Sequence, residues 1–327
     1  MRPGRRLGTS RRRERCRRPA SARALPQSRE GRRLSQFVQY LFYGITVGSI
    51  YAAVAIGFNL IYCTTGVVNF AQGEFVILGG MTAVTFSRYL PLPVAIAAAV
   101  VVVMGCGAGL DMAVFRRLRN PSILRMVVIT IGLSIVIREA ALHIWDEKAR
   151  ALPYFTGNET TSVQVFGAGV SPQVFWVLGV VFVMVAALHA FLKFTTVGTA
   201  MRACASDVQA AMLAGINVAN MRTFVFALSA GIGALAGCVI SPIAMTQYDG
   251  GASLAIKGFA AAVLGGLGNH TAAAAAGILI GLAEGFSGYL LPAAYKDAVA
   301  FAILILVLFL RPRGLFGSRE VGSQREF

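Results

Sequence analysis

Two stretches of this sequence place carboxylate, amide and ammonium side chains among apolar residues. The first, residues 66–75, reads Gly-Val-Val-Asn-Phe-Ala-Gln-Gly-Glu-Phe and supplies Asn69, Gln72 and Glu74. An acidic side chain at bilayer depth costs about 2.5–3.5 kcal/mol on insertion scales, so we expect Glu74 to face protein, water or the membrane interface. Because glycine lowers helix stability, the glycines of this stretch predict a broken or bent helix.

The second stretch, residues 257–270, begins with Lys257 and contains Asn269, and the glycine-spaced span after it ends near Glu284. Interrupted apolar segments in the two halves of a transporter indicate a cargo pathway between repeats. The polar residues of both stretches are therefore candidates for a translocation pathway or its hinges. The alternative is structural: Lys257 would extend to the interface, Asn69 and Asn269 would cap helix ends, and the glycines would serve packing alone.

A third segment, residues 198–218, predicts a short helix outside the membrane. Ala210 and Ala211 are followed after three residues by Gly215. Glycine just past the last helical residue is a common way for a helix to end. A solvated loop with incidental alanines is the alternative.

These candidates must be positioned by membrane helices. The chain has 327 residues, is 56% hydrophobic and only 13% charged, and has a mean hydropathy of +0.68. Glycines at four-residue spacing, such as Gly44 and Gly48 or Gly105 and Gly109, let helix backbones approach closely in lipid. We expect an all-α polytopic membrane protein, a bundle of about eight to nine transmembrane or re-entrant helices with two related halves.

Charge placement predicts the sidedness of the loops. Arginines around Arg116 mark one loop as cytoplasmic, the acidic loop at 145–170 belongs outside, and the basic segment at 193–222 and the C-terminus belong inside. Three spans precede the Arg116 loop, near residues 37–62, 66–87 and 91–112. An odd number of crossings places the N-terminus outside.

The N-terminal tail, residues 1–33, conflicts with that count. It holds thirteen arginines against two glutamates, +11 of the net charge of +16, and has no apolar core, so we expect it to be disordered. Arginines resist export, so either the start is mis-assigned and the tail is not made, which we favour, or one segment is re-entrant. A tail that touches anionic lipid or nucleic acid is the functional alternative. The rest of the chain, a membrane domain at 34–317 and a C-terminal tail at 318–327, is only mildly basic, and we expect no nucleic-acid partner.

The residue pattern argues against catalysis by this chain. Its five cysteines and three histidines lack metal-ligand spacing, so we expect no metal site. The sequence contains no G-x-x-x-x-G-K-[S/T] phosphate-binding loop, no H-E-x-x-H and no G-x-S-x-G. We therefore expect neither an enzyme nor a directly bound cofactor.

Five groups of motifs occur in a recognisable order. They are Val67-Val-Asn-Phe-Ala-Gln-Gly-Glu, Met201-Arg-Ala-Cys-Ala with the Ala-Ala-Met-Leu-Ala-Gly-Ile-Asn run at 210–217, Ala262-Val-Leu-Gly-Gly-Leu-Gly-Asn, Gly281-Leu-Ala-Glu and Arg311-Pro-Arg-Gly-Leu-Phe-Gly. Over residues 36–317 the chain resembles the permease of the high-affinity branched-chain amino-acid ABC transporter. The family's coupling motif is Glu-Ala-Ala, three residues, then Gly. Here Gln209 takes the acidic position, and Asp207 is the nearby carboxylate.

The resemblance implies a multi-pass protein of the bacterial cytoplasmic (inner) membrane with several partners. These are the lipid bilayer, a second homologous permease subunit, two cytoplasmic ATP-binding subunits that use the ATP, and a periplasmic or extracellular substrate-binding protein. Residues 196–221 would form the ATPase-coupling segment, acting through Asp207, Gln209, Ala210, Ala211 and Gly215, with the two alanines as small side chains at the contact. Related permeases carry urea, amides or other small solutes, so the cargo stays open. A stand-alone channel or secondary transporter is the alternative from another class.

Overall fold

The computed structural model describes residues 29–118, 122–158, 160–165, 168–290, 292, 295–311 and 314. The helices are α1 Arg29–Thr65, α2 Gln72–Phe86, α3 Leu92–Ala113, α4 Ile123–Trp145, α5 Pro172–Phe194, α6 Thr196–Ser206, α7 Val208–Leu213, α8 Val218–Ala244, α9 Gly251–Gly265, α10 His270–Leu290 and α11 Lys296–Leu310. A 3-10 turn at Phe115–Arg117 follows α3, and strands β1 Val163–Val165 and β2 Ala168–Val170 form a small antiparallel hairpin. The predicted all-α polytopic fold is confirmed.

Six of the described helices are long and apolar enough to cross a membrane, namely α1, α3, α4, α5, α8 and α10. Three more, α2, α9 and α11, have 15 residues each. At about 1.5 Å per residue such a helix is roughly 22 Å long, less than the ~30 Å bilayer core. The crossing predicted at 66–87 is only partly helical, because its first part, residues 66–71, is not in a helix.

The centre of the bundle is formed by α1, α8 and α10, whereas α3, α4 and α5 expose much of their apolar surface. Helices α1 and α10 run antiparallel along a glycine seam. A Cβ added at Gly44 would meet the backbone of Gly281, and one added at Gly48 would meet Ile278. The predicted close packing of glycines is thus present there. It is absent at Gly105, where no atom of the described residues lies within reach of an added Cβ.

The packing repeats a pattern between the first and last parts of the chain. Helix α1 packs on α10 and α3 packs on α8, while the short helices α2 and α9 contact each other. Each short helix follows a non-helical segment, 66–71 before α2 and 245–250 before α9. This arrangement agrees with the expected two related halves.

Contacts between loops define the two ends of the bundle. Arg150 pairs its backbone with Thr246 at the end reached by α4 and α8. At the opposite end, one cavity is lined by the last residues of α1 and by Val208 of α7. Helix α1 therefore starts at the end opposite to α7, the predicted outer end.

Only a small part of the two predicted tails lies among the described residues. Helix α1 begins at Arg29, inside the tail expected at 1–33, because arginine and glutamate are good helix formers that let a nucleated helix extend. Residues 1–28 and the predicted C-terminal tail at 318–327 lie outside the described residues.

Candidate functional site

The predicted break in the first polar stretch is present between α1 and α2. Gly66 adopts a φ of 71°, a conformation that favours glycine. Asn69 is buried, and its Oδ1 accepts a hydrogen bond from the backbone N–H of Ala71 at 3.1 Å. Its Nδ2 has no hydrogen-bond partner among the described residues. Asn69 thus stabilises the turn that precedes α2, close to the capping role considered for it.

Gln72 connects three helices at the start of α2. Its Nε2 donates to the backbone oxygen of Ser229 at 3.1 Å, and its Oε1 accepts from the Ser229 hydroxyl at 2.7 Å. The same hydroxyl lies 2.9 Å from the backbone oxygen of Gly57. Gln72 therefore joins α2 to α8 and α1 and is fully buried.

Glu74 lies where the first turns of α2 and α9 meet. Its Oε1 accepts a hydrogen bond from the Ser134 hydroxyl of α4 at 2.9 Å. The carboxylate also packs against Gly251, the first residue of α9, where an added Cβ would collide with it. Helix N-termini carry partial positive charge, so two of them near one carboxylate help to stabilise its burial. Glu74 faces protein, one of the environments expected for it.

Lys257 and Glu284 form a buried ion pair. The Nζ atom lies 3.1 and 3.2 Å from the two carboxylate oxygens of Glu284. The Tyr51 hydroxyl donates to Glu284 Oε2 at 2.7 Å and lies 3.0 Å from Nζ. Lys257 is only 6% exposed, so the alternative that it extends to the interface is wrong. The cluster ties α9 and α10 to α1.

Asn269 caps α10. Its Oδ1 accepts hydrogen bonds from the backbone N–H of Ala272 at 3.1 Å and from the Thr271 hydroxyl at 2.9 Å. Its backbone oxygen accepts from Asn59 Nδ2 at 3.1 Å, and Asn59 Oδ1 accepts from the Gly268 N–H. The capping interpretation accounts for Asn269, and Asn59 anchors this turn to α1.

The predicted short helix of the coupling segment is α7. Asp207 caps its start, since Oδ1 accepts from the N–H groups of Gln209 at 2.8 Å and Ala210 at 3.0 Å. The helix ends in a left-handed residue, Gly215, with a φ of 84°. The Ile216 N–H then reaches back to the Ala211 oxygen, as in a Schellman motif. The predicted glycine-terminated helix is confirmed.

The faces of α7 differ from the expectation at one position. Ala211 is buried against its own chain, so it does not offer a small side chain to a partner. Ala210 is exposed, and beside it Met212 and Leu213 are 54% and 90% exposed. The reason for this difference is packing: one side of α7 lies against the rest of the chain, and Ala211 is on that side.

A cavity of about 200 Å³ lies between the coupling segment and the break. Its walls combine the end of α1, the break, α4, α7 and the start of α8, with Ile61, Thr64, Thr65, Val67, Asn69, Phe115, Met126, Thr130, Val208, Val218, Arg222 and Phe226. Movement of α7 would change the shape of this cavity. A larger cavity, about 660 Å³ and almost wholly apolar, lies between α5 and α8.

Several buried polar residues escaped the sequence analysis, among them Tyr51, Asn59 and Asp111. Asp111 bonds Arg222 and Thr223. A carboxylate at the end of an otherwise uncharged span was the available signal for Asp111, whereas nothing local distinguishes Tyr51. No group of three or more histidine, cysteine, aspartate or glutamate residues in the described part of the chain could hold a metal ion.

Comparison with known proteins identifies close relatives of the whole membrane domain. The family model described as branched-chain amino acid transport system / permease component matches residues 40–308. The high-affinity branched-chain amino acid transport system permease protein LivH of Salmonella typhimurium is 32% identical over 301 residues, covering 87% of this chain and 97% of that protein. BraD of Pseudomonas aeruginosa, with the same description, is 34% identical with equal coverage. The ribose import permease protein RbsC of Haemophilus influenzae is 31% identical over 146 residues, 42% of this chain and 44% of that protein.

Proposed function

Because the chain belongs to the permease-component family of branched-chain amino acid transport systems, we propose that it forms the membrane path of an ABC importer for branched-chain amino acids. The observation that carries this proposal is the match across residues 40–308, which includes both broken stretches and the coupling segment. An external binding protein delivers the cargo. A second, homologous permease completes the path in the bacterial inner membrane.

The energy for import comes from two separate ATP-binding subunits. The sequence has no phosphate-binding loop of its own. Helix α7 offers such a subunit an exposed apolar contact, centred on Leu213, at the end of the bundle. The glycine-terminated turn at Gly215 connects this helix to α8 within three residues.

The broken stretches serve as hinges between rigid parts. Gln72, Glu74, Lys257 and Glu284 are buried and bonded to other parts of the chain, so cargo does not reach them without a rearrangement. Asn69 differs, since it lines the cavity beside α7 and its amide nitrogen has no hydrogen-bond partner in the part of the chain that the structure describes. Alternating access follows from rocking one half of the bundle against the other around these joints.

The test is reconstitution of the chain with its second permease, ATPases and binding protein in proteoliposomes. Uptake of labelled leucine that requires ATP and the binding protein is the expected result. An excess of unlabelled leucine, isoleucine or valine should compete with it, whereas urea or ribose should not. Uptake that persists without the ATPases would contradict the proposal and favour a channel or secondary transporter. Competition by urea or ribose alone would place the cargo elsewhere in the family.

A further inference from the structure

Asp111, in the last turn of α3, is a fully buried carboxylate with a partner on each oxygen. Its Oδ1 accepts a hydrogen bond from Arg222 Nε at 2.7 Å, and its Oδ2 accepts one from the Thr223 hydroxyl. Arg116 Nε lies 3.7 Å from Oδ2. A buried charge is tolerated only when it is paired and hydrogen-bonded. Because Asp111 is buried, its carboxylate must keep these partners, which restricts the side chains to one arrangement.

The partners of Asp111 lie directly after the coupling helix. Arg222 and Thr223 belong to the first two turns of α8, which begins three residues after Gly215. Arg116 extends the network, because its Nη2 donates to Asn220 Oδ1 and to Thr223 Oγ1, both at 2.8 Å. The start of α8 is thus fastened to the end of α3 by charge-assisted hydrogen bonds, the stronger kind.

Further along the two helices, contacts between α3 and α8 involve small or apolar groups and are less directional. Gly107 lies against the Ala230 methyl group, and the flexible Met104 side chain lies against Gly231. Methionine adapts to small shifts of its surroundings. Hydrogen bonds, in contrast, weaken steeply when their distance or angle changes. The Asp111 network is therefore the directional contact that ties the end of α3 to the start of α8.

We propose that Asp111 is a positioning residue that makes α3 follow α8 when an ATPase displaces α7. Because α2 packs on both α3 and α8, the displacement then reaches the break at 66–71. This inference rests on the proposed ATP-driven import. Asp111 acts through Arg222 and Thr223, so its removal uncouples ATP hydrolysis from uptake.

The test compares Asp111→Asn with the unaltered chain in proteoliposomes that contain the complete transporter. Asparagine keeps the size of the side chain and removes its charge. The variant is expected to co-purify with its ATPases and to retain ATP hydrolysis stimulated by the leucine-loaded binding protein. Leucine uptake per ATP hydrolysed should fall at least about fivefold, the lower end of usual couplings between sites.

Two further variants keep the test decisive. Thr223→Val removes the hydroxyl that donates to Oδ2 and accepts from Arg116, but it keeps the bond between Asp111 and Arg222. It should lower uptake per ATP by a smaller factor, even if Asp111→Asn does not fold. Glu139→Gln breaks an exposed ion pair with Arg138 at 3.8 Å and should leave the ratio unchanged.

Unchanged uptake per ATP in both Asp111→Asn and Thr223→Val would overturn the inference. A loss of uptake and ATP hydrolysis in proportion to the amount of assembled transporter would show a structural anchor only, and would overturn it as well. Absence of ATP-driven uptake by the unaltered chain would refute the proposed function itself.

Discussion

Glu284→Gln should destabilise the bundle far more than the loss of one neutral hydrogen bond. The substitution removes the Glu284 carboxylate from beside the Lys257 ammonium group, which is only 6% exposed in the unaltered chain and has the neutral Tyr51 hydroxyl at 3.0 Å. Removing one partner of a buried ion pair costs about 3–5 kcal/mol, because the other charge stays desolvated. An exposed pair such as Arg138 with Glu139 contributes no more than about 1 kcal/mol.

The measurement is the free energy of unfolding of the purified chain in mixed micelles, titrated with SDS. The double variant Lys257→Met with Glu284→Gln should cost less than Glu284→Gln alone, since no uncompensated charge remains. Glu139→Gln is the matched control and should change the free energy little. Lys257→Met is also measured alone. If the double variant loses as much free energy of unfolding as Lys257→Met and Glu284→Gln lose together, the two groups are not coupled and the reasoning fails.

Three further predictions test other parts of the structure. Gly237→Ala should destabilise the chain by about 1–3 kcal/mol in the same titration, because its methyl group would collide with the Val76 backbone oxygen, whereas Gly105→Ala should not; equal losses would contradict the packing. Leu213→Ser should weaken co-purification of the ATPases without reducing membrane insertion, and normal co-purification would exclude Leu213 from the interface. Deleting residues 2–28 should leave leucine uptake intact in a complementation assay; loss of uptake together with loss of membrane insertion would show that the arginine-rich tail is needed.

The helix break and the glycine-terminated helix were predictable because their signals are local. Asn69, Gln72 and Glu74 are polar residues beside glycines in an apolar stretch, a combination that disfavours an uninterrupted helix. Gly215 follows the last helical residues of α7 at the usual position for a left-handed helix end. Neither prediction requires knowledge of how distant helices pack.

The ion pairs and the orientation of α7 depend on packing that local patterns do not encode. Lys257 and Glu284 meet because α9 and α10 fold back on each other, and a lysine near glycines is equally compatible with the interface. Asp111 pairs with Arg222, which lies 111 positions further along the chain. Helix α7 has only six residues, too few for its apolar pattern to show that Ala211 faces the body.

The glycine seam between α1 and α10 joins the beginning of the membrane domain to its end. Tyr51 and Glu284, which meet at this seam, are separated by 233 residues. At a synthesis rate of about 5–20 residues per second, roughly 10–50 s pass between the synthesis of α1 and that of α10. During that time its glycine face is open to lipid and to membrane proteases. A ribosome that stalls before α10 therefore releases an inserted fragment whose first helix lacks its main partner, a natural substrate for quality control.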